Sequence, residues 1–153
     1  MAVTAGRTPR DRVAAECARR GRSAVLAACA DLLEGREVDP AFVLVLGGPA
    51  AEHVLGGAEG GPHGSWPRVW AARGLLHAWP ERPVGDPAEG RAAVAVARAT
   101  GDEAWRVREM AAKVIARHRL DALDEVAQLR DDVVPRVRVA ADRAVRALTD
   151  AGA

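Results

Sequence analysis

Two copies of one pattern stand thirty residues apart, and that interval limits the possible folds of this chain more than any other feature. Asp102-Glu103-Ala104-Trp105-Arg106-Val107-Arg108 is echoed by Asp132-Val133-Val134-Pro135-Arg136-Val137-Arg138. The apolar positions Val107, Met110, Ala111, Val114 and Ile115 map onto Val137, Ala140, Ala141, Ala144 and Val145. Spacings of three and four place each set on one face of a helix. Between the copies, Leu120, Leu123, Val126, Ala127 and Leu129 provide the apolar stripe of an intervening, shorter helix. A unit of long helix, turn, short helix and turn at this period predicts stacked helical repeats, in which each unit buries its apolar face on its neighbour.

The rest of the chain agrees with an all-α fold. Half-apolar composition (49%) rules against disorder. The apolar residues are mostly Ala, Val and Leu, with no Tyr and the single Phe42. Ala loses no side-chain entropy in a helix, whereas a sheet favours aromatic and β-branched residues. Thr8-Pro9, Asp39-Pro40 and Asp86-Pro87 each read as an N-cap followed by proline at the first helical position. Gly21, Gly35 and Gly47-Gly48 read as stops. The punctuation predicts nine helices, two of them short, with starts at Ser23, Pro49, Ser65, Asp102, Asp121 and Asp132 besides the three proline starts. The expected organisation is one domain over 1–153: an irregular helical half over 1–55, a flexible Gly-rich loop over 56–64, and repeats over 65–149.

The Asp-x5-Arg spacing, Asp102 to Arg108 and Asp132 to Arg138, resembles the HEAT-like repeats, including those of the bilin-lyase type. The resemblance implies a short right-handed α-solenoid of antiparallel helix pairs. It also implies that Asp102, Arg108, Asp132 and Arg138 form a structural ladder between repeats. The match is clearest over 102–148 and weaker over 65–100. There, aligning Pro67 with Pro135 sets Trp70 in the place of the ladder arginine and Gly64 in that of the aspartate. The same register puts Arg73 and His77 at inward positions, so the expected buried face shifts to Val69, Ala72, Leu76 and Trp79.

Few residues suggest chemistry. Ser and Thr are scarce, there is no P-loop or dinucleotide fingerprint, and His53, His63, His77 and His118 are scattered without an HExxH pair. The expectation is therefore a protein that is not an enzyme, with no catalytic residue, no metal and no cofactor. His118 is expected to cap a helix C-terminus as an imidazolium. Cys17 and Cys29 are expected as two small buried thiols. No apolar run is long enough to span a bilayer, and Met1 to Arg12 lacks the apolar stretch of a leader, so a cytoplasmic location is expected. Abundant Arg beside the single Lys113, together with the Ala excess, matches the codon bias of a high-GC bacterial genome.

Trp and Arg are the residue types enriched at binding hot spots. Trp66, Trp70, Arg73, Trp105 and Arg106 are accordingly the candidate partner-binding residues, with packing between repeats as the alternative role for the tryptophans. A protein or peptide is the expected partner of such a scaffold. The alternative is DNA binding, since Trp and Arg also stack on bases and hold phosphate. DNA glycosylases of the alkylation-repair type, to which the repeats are also similar, use Trp, Asp and Arg on a concave HEAT-like face. Charge argues against a dedicated polyanion binder: 22 basic and 21 acidic residues give a net charge of +1. Arg136, Arg143 and Arg146 are expected on a solvated face.

Overall fold

The structure, a computed structural model, describes residues 7–150. Met1 to Gly6 of the segment weighed above for a leader, and 151–153 of the expected domain, lie outside the described residues. Among these, nine α-helices are present and no strand. They are α1 (Pro9–Arg20), α2 (Arg22–Leu33), α3 (Pro40–Gly47), α4 (Pro49–Leu55), α5 (Ser65–Ala78), α6 (Pro87–Ala99), α7 (Trp105–His118), α8 (Leu123–Gln128) and α9 (Pro135–Asp150).

Local chemistry sets most of the boundaries. Thr8 forms a full capping box with Asp11, and Asp39 and Asp86 accept the backbone N–H two residues on, each ahead of a proline that fixes the first helical φ. Gly48, at φ +64°, lets the chain turn from α3 directly into α4. The 56–64 segment, expected as a flexible Gly-rich loop, contains short stretches of 3-10 backbone. Within Ala58–His63 the 3-10 backbone is broken by a kink at Glu59, Gly60 and Gly61, and Gly57 at φ +106° and Gly60 at φ +90° supply left-handed backbone.

Four predicted helix starts move. Ser65 is itself helical, and Gly64 occupies the cap without a side-chain bond. Asp102 does not cap α7 directly. Its Oδ1 accepts the Ala104 N–H at 2.8 Å, an Asx turn that delays the helix to Trp105. Asp132 does the same with Val134 N–H at 2.9 Å ahead of Pro135. The short helix starts at Leu123 rather than Asp121 and finishes as 3-10 backbone over Leu129–Asp131.

The long helices pack in series: α1 on α5, α5 on α7, and α7 on α9. On the other side α2 lies against both α5 and α6, α6 against α7, and α8 against α9, while α3 bridges α1 and α5. The two aligned apolar faces are the interfaces. Val107, Ala111, Val114 and Ile115 are buried in α7, as are Val137, Ala140, Ala141 and Ala144 in α9. Each buried Val or Ile contributes about 1.5–3 kcal/mol of transfer free energy, so these stripes drive the stacking.

In α5 the expected register is wrong by two residues. The helix starts Ser65, Trp105 and Pro135 are equivalent, which pairs Arg68 with Arg108 and Arg138. Trp70 then falls with Met110 and Ala140, a core position, and is 4% exposed. Of the expected face, Val69, Ala72 and Trp79 are buried and Leu76 is half-buried. Trp70, Ala71, Gly74, Leu75 and Ala78 are buried as well, because α5 is enclosed by α1, α2, α3 and α7. Gly47 makes room for this core. A Cβ there would stand 2.7 Å from Trp70 Cε3, so the indole lies directly on the glycine.

Candidate binding surface

Asp102, Arg108, Asp132 and Arg138 meet at the turns before the long helices, joined by Arg68, which was not among the expected residues. Arg108 donates from Nε and Nη2 to Asp132 at 2.7 and 3.1 Å, and from Nη1 to the Asp102 carbonyl at 2.9 Å. Arg68 repeats this one step earlier, with Asp102 at 2.8 and 3.1 Å and the Gly64 carbonyl at 3.0 Å. Each guanidinium thus clamps the turn before its own helix to the turn before the next. Arg138 makes only the first half of the pattern, donating to the Asp132 carbonyl at 2.7 Å. The Arg108 guanidinium holds the Asp132 carboxyl below its usual pKa. The Arg68–Asp102 and Arg108–Asp132 charges are thus paired within the fold.

A second set of cations lies away from these turns. With α5, α7 and α9 aligned by their starts, Arg73, Lys113 and Arg143 form one row, and Trp66, Arg106 and Arg136 another. Arg106 lies over the rings of Trp66 (5.3 Å) and Trp105 (4.4 Å), and Arg136 covers Trp105 at 5.5 Å. Tryptophan and guanidinium therefore alternate across three helices, a cation–π arrangement linking Trp66 and Trp105. Trp66 also stacks on Trp70 at 6.0 Å, and its indole N–H donates to Glu59.

The five sequence candidates consequently divide. Trp66, Trp105 and Arg106 meet on this face, Trp66 and Trp105 half-buried and Arg106 exposed. Trp70 lies beneath it in the core. Arg73 turns to the far end, where Nη2 donates to the Leu46 carbonyl at 2.8 Å, beside Arg12, whose Nε bonds Val45 O at 2.8 Å. The two cations complement the C-terminal dipole of α3 and satisfy its last carbonyls. Arg73 is therefore a helix cap, a role that only the placement of α3 against α5 created.

Between α7 and α9 lies a groove of about 610 Å³. Ala116, Val139 and Ala140 form its floor, and Lys113, Arg117, Arg136 and Arg143 its rim. The one carboxylate, Glu109, is held by Lys113 at 3.1 Å and Arg136 at 3.2 Å. Arg136 and Arg143, expected on a solvated face, are exposed, and the stacking of α7 on α9 also sets them beside Lys113 and Arg117. The signal for Lys113 and Arg143 is their shared position eight residues after each long-helix start, visible once the starts are aligned.

Other expectations change. The His118 ring stacks on Trp79 at 5.5 Å and its Nε2 is 3.0 Å from the Leu75 carbonyl, the geometry of a donated N–H. Burial lowers its pKa, so it is a neutral, packed imidazole rather than a cap cation. Cys29 is buried and its thiol pKa is pushed up by desolvation, but Cys17 is only half-buried. No group of His, Cys, Asp or Glu that could hold a metal occurs among the described residues. No described helix is long and apolar enough to cross a membrane.

No family model, curated protein or solved structure matches the chain.

Proposed function

We propose that this chain is a HEAT-like repeat scaffold, a short right-handed α-solenoid of helix pairs, that acts without catalysis by holding an acidic protein partner on the cationic face of α5, α7 and α9. The observation that carries this reading is the sorting of charge. Residues 102–148 hold ten basic and nine acidic side chains, yet Lys113, Arg117, Arg136 and Arg143 line one groove with Glu109 as its one carboxylate, and Arg106 extends the row over Trp66, whose indole holds Glu59. The aspartates at 102 and 132 are locked in the ladder, and Asp121, Asp124 and Glu125 belong to the turn and short helix at α8. A near-neutral chain with a predominantly cationic face steers an oppositely charged partner at close range. The solenoid reading is supported by the serial packing of the long helices and by the Arg–Asp clamp recurring between successive turns.

The test is an affinity capture from the native host with nuclease present. The wild type is compared with a variant carrying Arg106→Glu, Arg117→Glu and Arg143→Glu. A partner retained by the wild type and lost by the variant is the expected result. A partner retained equally by both refutes the face. Recovery that disappears with nuclease moves the DNA-binding alternative to first place, with the Trp66–Arg106–Trp105–Arg136 row as the stacking platform.

A further inference from the structure

We infer that the α7/α9 groove is the seat of a short acidic amphipathic helix supplied by the partner, an inference that rests on reading the cationic face as the binding surface. The argument begins with the floor. Val139 is 52% exposed, whereas Val69, its equivalent in the enclosed helix α5, is 7% exposed. The groove thus offers an apolar spot of the kind this fold elsewhere buries under a helix.

The walls decide the occupant's conformation. Both are α-helices, whose main-chain N–H and C=O groups are already bonded along their own axes. An extended peptide laid here would find no backbone partners for its own amides, as it would at a sheet edge. A helix brings its backbone bonds with it, so only side chains need to match. The groove runs from Glu109 to Arg117 on one wall and from Pro135 to Arg143 on the other. Each stretch spans roughly 12 Å at 1.5 Å per residue, or about two helical turns. An incoming helix therefore presents apolar anchors at i, i+3 or i+4, and i+7.

The rim decides the charge. Glu109 already engages Lys113 and Arg136, whereas Arg117 and Arg143 are in no ion pair among the described residues. Carboxylates flanking the apolar anchors complement those two free guanidiniums, and lysines in the same places are repelled by all four cations.

The experiment is fluorescence anisotropy with the full chain and a fluorescein-labelled, acetylated, alanine-based peptide of about sixteen residues, long enough to hold helix. The peptide carries leucines at the anchor positions, flanked by glutamates. Three controls replace its glutamates by lysine, replace its leucines by serine, or substitute a duplex oligonucleotide. The protein variants are Val139→Glu and the pair Arg117→Glu/Arg143→Glu, all at exposed positions, with helicity checked by circular dichroism. The glutamate–leucine peptide is expected to bind, and each peptide control and each variant to weaken binding by about tenfold or more, equivalent to 1.4 kcal/mol.

Equal binding by wild type and Val139→Glu overturns the groove as the seat and leaves the cationic face standing. Preference for the duplex, with a steep salt dependence, overturns the partner class as well. Self-association in sedimentation that Val139→Glu abolishes makes a second copy the occupant and overturns the inference. Binding of neither peptide nor duplex at any attainable concentration overturns it together with the face.

Discussion

Replacing Arg108 by alanine isolates what the ladder contributes. The side chain makes a bidentate pair with Asp132 and anchors the Asp102 carbonyl, and both partners of the pair are largely withdrawn from water. Hydrogen bonds to a charged group contribute about 1.5–3 kcal/mol each, and orphaning a fully buried charge costs about 3–5 kcal/mol. Asp132 keeps its bond from Val134 N–H and sits at the rim of the fold, so the lower range applies, about 2–3 kcal/mol. For a chain of this size that lowers Tm by roughly 5–10 °C. Arg68→Ala should cost a similar amount, because Arg68 repeats the geometry on Asp102. Arg138→Ala, which removes one exposed contact to a carbonyl, should cost less than about 0.5 kcal/mol. Thermal and urea unfolding followed by circular dichroism give the three values, and a double-mutant cycle of Arg108→Ala with Asp132→Asn should return about 1–2 kcal/mol of coupling. The pH dependence follows from the lowered Asp132 pKa. The contribution is present above the unfolded carboxyl value near 4 and is lost as pH falls through the depressed folded value, so wild type and Arg108→Ala converge in acid. Equal losses from Arg138→Ala and Arg108→Ala, or a gap that persists at low pH, would refute the clamp.

Three further outcomes follow from the packing. Trp70→Ala should destabilise by about 3–5 kcal/mol through loss of a buried indole, whereas Trp66→Ala should cost less; chemical denaturation separates them. Gly47→Ala places a methyl 2.7 Å from the same indole and should destabilise by about 1–3 kcal/mol, a loss that the smaller ring of Trp70→Phe should partly relieve in the double variant. His77 and His118 have pKa values lowered first by burial, so the unfolded chain takes up protons before the native one does. Their stabilisation is complete above the unfolded value near 6.5 and declines as pH falls through the folded values; His118→Phe should flatten part of that slope in a series of melts from pH 8 to 5.

Much of the helical architecture was legible from the chain alone because its signals are local. Proline after a capping side chain, glycine at positive φ and the three–four apolar spacing act within one or two turns, and they fixed α1, α3, α4 and α6 nearly to the residue. The thirty-residue echo likewise identified the buried faces of α7 and α9, since each face needs only its neighbour to be written twice. What depended on a third element was misread. Trp70 and Arg73 looked alike as candidates on one helix, yet α3 buries the first and takes the second as its cap. His118 became a neutral packed ring because Trp79 arrives from α5's end, forty residues back in the chain. The cationic groove was hidden in a near-neutral composition. Charge balance sums over all directions, and only the stacking of α7 on α9 decided which charges face the same water.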